Sequence, residues 1–142
     1  MKRWIRNTLV AAAIAFVAIQ VYPAQRDNPQ VEADLEAPAD VKTILRRSCY
    51  DCHSNETHWP WYAYVAPVSW LVAGDVHDGR RQLNFSQWGQ YSAKKRRTKA
   101  ETIVDQVSEG DMPLPKYVRM HSEAKVGPAE IEILKTWADG EP

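Results

Sequence analysis

Apolar and polar positions divide the chain into helical stretches joined by proline-rich breaks. An apolar run extends from Thr8 to Ile19 behind a basic head of Lys2, Arg3 and Arg6, and Val21 and Tyr22 extend it. From Asp40 to Ser48 the positions Val41, Ile44, Leu45 and Ser48 share one helical face, with Lys42, Arg46 and Arg47 elsewhere. Val68, Leu71, Val72 and Val76 repeat at helical spacing and predict a helix over 68–77 that ends before Gly79. Thr98 and Glu101 read as a capping box opening a helix over 98–109, with Ala100, Ile103, Val104 and Val107 as its stripe and Gly110 as its close. Pro128 opens a last helix with Ile131, Leu134 and Ala138 facing the core, ended by Gly140. Between these, 58–67 is broken by Pro60 and Pro67, 84–88 is irregular, and 112–115 holds two prolines and cannot be helical. No stretch alternates with period 2, so the predicted fold class is all-α.

The N-terminal run is the pattern of a secretory signal or membrane anchor. Its length, about 15 residues or about 17 with Trp4 and Ile5, sits at the lower limit of a spanning helix. Cleavage after Ala24 is the alternative to an uncleaved anchor, but Tyr22 stands where a small residue is wanted. Residues 1–22 are thus read as a signal or membrane helix, 23–38 as an extended linker rich in proline, and 39–142 as the folded domain. The basic head is expected to stay cytoplasmic and the rest to be exported to the periplasmic side of the inner membrane. The cytoplasmic membrane is then one partner, through the N-terminal helix.

Composition changes this picture in two places. The 142 residues carry 18 Lys plus Arg and 18 Asp plus Glu, a net charge of zero, which argues against a nucleic-acid binder. Residues 1–22 hold three of the basic residues and none of the acidic ones, so the remainder is acidic by about three charges. The only two cysteines, Cys49 and Cys52, stand in Cys49-Tyr50-Asp51-Cys52-His53. This C-x-x-C-H pattern marks c-type haem attachment. Each thiol adds across one vinyl group, and His53 follows at once to carry its imidazole to the iron. A thiol redox motif would need a βαβ context, and a zinc site a second ligand pair; neither is visible.

For the sixth iron position the first candidate is Met112, in the proline-stiffened Gly110-Asp111-Met112-Pro113-Leu114-Pro115, and the second is His121. A thioether opposite histidine raises the potential and favours electron transfer. An open sixth position would instead suit a haem sensor or a small peroxidase-like enzyme. Trp59 and Trp61 are candidate walls of a haem pocket, and Arg80 a candidate propionate partner. Lys94, Lys95, Arg96, Arg97 and Lys99 read as a solvated basic run or as a docking patch for an acidic redox partner or lipid headgroups.

Through Cys49–His53 and Met112-Pro113 the chain resembles the c-type cytochromes. More narrowly it resembles the bacterial haem-binding domain family of short anchored monohaem proteins. The matching blocks, in order, are Arg46 to Thr57, Trp59-Pro60-Trp61-Tyr62, Pro67-Val68-Ser69-Trp70, Gly79-Arg80, Leu83-Asn84-Phe85-Ser86 and Gly110 to Leu114. The resemblance spans about 26–137. It implies one covalent haem c on Cys49 and Cys52 and iron on His53, in a cytochrome c-like helical domain. It leaves the activity, the redox partner protein and the sixth ligand open.

Overall fold

In the computed structural model, which describes residues 2–140, all regular structure is helical. Helix α1 covers Lys2–Ile19, α2 Ala39–Ser48, α3 the single turn Tyr50–His53, and α4 Val68–Gln82. Helices α5, α6 and α7 cover Ala93–Glu109, Pro115–Met120 and Pro128–Gly140, with 3-10 turns at Trp61–Tyr64, Phe85–Gln90 and Ser122–Ala124.

α2 buries Val41, Ile44, Leu45 and Ser48, the face its apolar spacing predicts. α5 and α7 pack against each other through Ala100, Ile103 and Val107 on one side and Leu134, Trp137 and Ala138 on the other. An aromatic stack ties these pairs together. Tyr50 lies flat on Phe85 at 4.9 Å, Phe85 stacks on Trp88 at 5.9 Å, and Trp88 meets Trp137 at 5.8 Å. Each such ring removes enough apolar surface from water to contribute about 1.5–3 kcal/mol.

Three helix boundaries differ from the sequence reading, each for a local reason. α5 begins at Ala93, not Thr98: Ser92 accepts a bond from the Lys95 amide at 3.3 Å and caps the helix, and the Lys-Arg run behind it consists of good helix formers. α4 passes through Gly79 to Gln82, because that glycine serves a close crossing and not a helix end. α6 opens at Pro115, the last residue of the 112–115 stretch expected to be non-helical, because a missing amide in the first turn costs nothing.

The segment 23–38 has no helix and is laid along the domain. The Glu32 and Ala33 amides donate to the Ser86 carbonyl, the Leu35 amide to that of Phe85, and Leu35 is wholly buried. Its proline-rich composition keeps it extended, and that extension lets it pair with the 85–90 turn.

The expected membrane-spanning helix needs correction. α1 is helical and buries none of its residues, but Lys2, Arg3 and Arg6 occupy its first turns. The apolar part is about 13 residues, roughly 20 Å at helical rise, against a hydrocarbon core of about 30 Å. Among the described residues no helix is long and apolar enough to cross a membrane.

The crossing of α3 and α4 yields a test. A β-carbon at Gly79 would stand 2.5 Å from the Cys52 carbonyl oxygen, a contact only backbone movement can relieve. Gly79→Ala is expected to destabilise the fold by about 1–3 kcal/mol. Thermal unfolding checks this, and an unchanged midpoint would show that the two helices are free to separate.

Candidate functional site

The C-x-x-C-H segment folds as one turn because α2 ends directly ahead of it. The Cys49 amide donates to the Leu45 carbonyl at 2.8 Å, and the Cys49 carbonyl then accepts from the Cys52 and His53 amides at 3.2 and 2.9 Å. The turn is held from below by polar contacts that its sequence supplies. The Ser54 hydroxyl donates to the Tyr50 carbonyl at 2.8 Å, the Thr57 hydroxyl to that of Asp51 at 2.7 Å, and the Asn55 amide to Ser86 Oγ at 2.9 Å.

His53 is fixed by α4. Its Nδ1 lies 3.0 Å from the Gly79 carbonyl oxygen and 3.3 Å from that of Leu83. Both neighbours only accept, so Nδ1 carries the proton and Nε2 keeps its lone pair. Burial pushes the imidazole pKa down, against the opposing effect of the two carbonyl bonds, and the positive charge of Lys99 adds to the fall. A neutral imidazole with one nitrogen tied to backbone is the form that binds a metal.

A cleft opens between α3 and α5. Its larger lobe, about 320 Å³, is lined by Cys49, His53, Leu83, Ile103, Val107 and Met112 among others. A smaller lobe of about 130 Å³ brings Cys49, Cys52, His53, Gly79, Met112 and Pro113 together. Met112 is delivered by the end of α5. Gly110, at φ 80°, turns the chain in the left-handed region that favours glycine, and the amides of Asp111 and Met112 both donate to the Gln106 carbonyl, at 3.0 and 3.1 Å. The thioether is thereby tied to the C-terminus of α5.

Burial pushes the Cys49 thiol up to about 12 and the Cys52 thiol up to about 11, each aided by a nearby negative charge, Cys52 for the first and Asp51 for the second. At these values the thiols of the haem-free chain are protonated at neutral pH, and they form no disulfide with each other. The donor set fits a haem: two thiols for its vinyl groups, an imidazole nitrogen for its iron, a thioether on the facing segment, and an apolar lining. Ser48 also lines both lobes, and its buried hydroxyl finds no partner within the protein.

Four of the candidates from the sequence lie elsewhere. Trp61 is 75% exposed and lines a separate apolar pocket of about 360 Å³ with Leu71 and Met120. Trp59 donates its indole N–H to Asn28 Oδ1 at 3.2 Å and lines neither lobe of the cleft. The chain after His53 is turned back by Thr57 and His58 bonding Asp51, which carries these rings away from α5. Arg80 is spent on structure: it donates to the Ser54 carbonyl at 2.7 Å, the Asp27 carbonyl at 3.0 Å and Thr57 Oγ1 at 2.9 Å. It clamps the extended segment and leaves no fork for a propionate.

His121 lies under Tyr117, 4.4 Å away and stacked. Its Nδ1 faces Glu123 at 3.4 Å and its Nε2 lies 2.7 Å from the Tyr62 hydroxyl, so both ring nitrogens already face partners, and it lines neither lobe of the cleft. Sequence reasoning missed Gly79 as the floor of the site, and Gln82 and Gln106 as cleft residues. The i, i+3, i+4, i+7 spacing of Lys99, Thr102, Ile103 and Gln106 carried the signal for one of these.

A family model described as a haem-binding domain matches residues 13–140. No curated protein and no solved structure matches the chain.

The protonated thiols give a pH-dependent prediction for the haem-free chain. With Cys52 near 11 instead of the ordinary 9.0, its thiolate fraction at neutral pH, and hence its alkylation rate, is on the order of 100-fold below that of an unperturbed thiol. Alkylation should accelerate as pH rises toward 11. Iodoacetamide labelling read by mass spectrometry checks it, and full labelling at the rate of free cysteine would contradict it.

Proposed function

The chain belongs to the haem-binding domain family, and from that premise we propose that it is a monohaem c-type cytochrome domain that carries single electrons outside the cytoplasm. In this reading Cys49 and Cys52 hold the haem as thioethers, His53 binds the iron through Nε2, and Met112 binds it from the facing wall. The observation that carries the reading is the cleft itself, with Cys49 and His53 on one side and Met112 and Pro113 on the other.

When bound, the haem supplies a one-electron iron couple. The protein's part is to set its ligands and surroundings. The Gly79 and Leu83 carbonyls orient His53 and make it a better donor. A Met112 thioether favours the reduced state and raises the potential. Leu83, Ile103 and Val107 give the cleft an apolar wall against the haem. The high thiol pKa values weigh against a thiol redox module, whose nucleophilic cysteine needs a depressed one. A thioether held in the cleft weighs against a sensor or peroxidase-like enzyme, which needs an open iron position.

We place the domain on the periplasmic side of the inner membrane. α1, exposed and apolar behind its basic head, serves as the segment that directs export. The redox partner is a protein met there.

The test is covalent attachment. The full chain, produced with a c-type haem-maturation system, is expected in the periplasmic fraction with the mass of the polypeptide plus one haem, and the haem should survive acid–solvent extraction. Replacing both Cys49 and Cys52 with Ala should abolish that added mass. A wild-type chain without added mass, or one that yields its haem to extraction, would refute covalent attachment.

A further inference from the structure

The cleft is not electrically uniform. Its larger lobe is lined by Lys99, Gln82 and Gln106, all able to donate hydrogen bonds, and by no acidic residue. Thr102 is there too, but its hydroxyl proton goes to the Thr98 carbonyl at 2.8 Å. The smaller lobe, where Cys52 lies, is lined by Asp75 and Asp78, which hold Lys116 and Arg81 at 2.7 Å each. Those two cations are therefore committed, as is Arg80 to the extended segment.

Lys99 differs from its neighbours in the basic run. Lys95 sits 3.9 Å over the Tyr91 ring, and Arg97 pairs with Glu101 at 3.3 Å. Lys99 lies one helical turn before Thr102 and Ile103 and two before Gln106, so it shares their cleft-facing stripe. No carboxylate among the described residues pairs with it. It is half-buried beside an apolar cavity, a place where an ammonium gains most from a carboxylate partner.

We infer that Lys99, with Gln82 and Gln106, forms a carboxylate-binding end of the cleft that takes the haem propionates and so fixes which way round the haem lies. This rests on the covalent attachment proposed above. Attachment puts the vinyl edge at Cys49 and Cys52. The propionates occupy the opposite edge of the ring, and the lobe with unpaired donors and no acid is the one that accepts them. An ammonium at that edge offsets propionate charge, and removing it favours the ferric state.

The test compares Lys99→Gln, Lys99→Arg and Lys94→Gln in the haem-loaded full chain, by spectroelectrochemical titration. Lys99→Gln should shift the midpoint potential downward, more so at low ionic strength, and Lys99→Arg should restore it. Lys94→Gln, exposed on the same helix, should leave it unchanged. If Lys99→Gln moves the potential no more than Lys94→Gln, the propionate site is overturned and the cytochrome reading stands. A wild-type preparation without covalent haem overturns both.

Discussion

At Gly79 the backbone of α4 runs so close to Cys52 that no side chain fits between them. That contact organises the rest of the site. It lets the Gly79 carbonyl reach Nδ1 of His53, which fixes the proton on that nitrogen and leaves the other for a metal. It also sets the single turn of α3 against a longer helix, which a four-residue helix needs, since it cannot persist alone. Arg80, the next residue, binds the carbonyl of Ser54 and the hydroxyl of Thr57, so the same part of α4 pins the chain leaving the motif. Two adjacent residues thus hold the C-terminal end of the C-x-x-C-H turn and the chain that leaves it.

The facing wall is built by a different device. α5 is anchored on α7 through Ile103, Val107, Leu134 and Trp137, and its end is closed by the glycine turn that sets Met112. Because the Met112 amide is bonded to Gln106, the thioether is tied to α5 and not to a free loop. Preorganising a weak ligand in this way lowers the entropy lost when it binds. The cleft is therefore a gap between two rigid units, α3 on α4 and α5 on α7.

Much of this was legible in the residues. The helical stripe of α2, the all-α class and the C-x-x-C-H motif follow from spacing alone, and the Gly-Asp-Met-Pro block indicated a fixed methionine. What stayed hidden depends on tertiary contacts. Gly79 reads as a helix end until its neighbour across the crossing is known. The tryptophans near the motif read as cofactor walls by proximity, yet Trp88 and Trp137, far along the chain, are the ones buried in the core. Arg80 reads as a ligand for an anion because its five donors suit one, but backbone and side-chain oxygens of the chain itself take them. The segment 23–38 reads as a linker from its prolines, though Leu35 sinks fully into the core. Local pattern records what a residue can do, and the fold decides which neighbour it meets.

Haem binding rests on family membership, and the proposed pairing of Met112 with His53 rests on the cleft. The most direct measurement is NMR of the reduced, haem-loaded chain with its methionine methyl groups labelled. The chain has three methionines, Met1, Met112 and Met120. The account predicts one methyl signal displaced far upfield by the haem ring current, lost in Met112→Leu and kept in Met120→Leu. A spectrum with no displaced methyl, or one whose displaced signal survives Met112→Leu, would contradict the assignment of Met112 opposite His53.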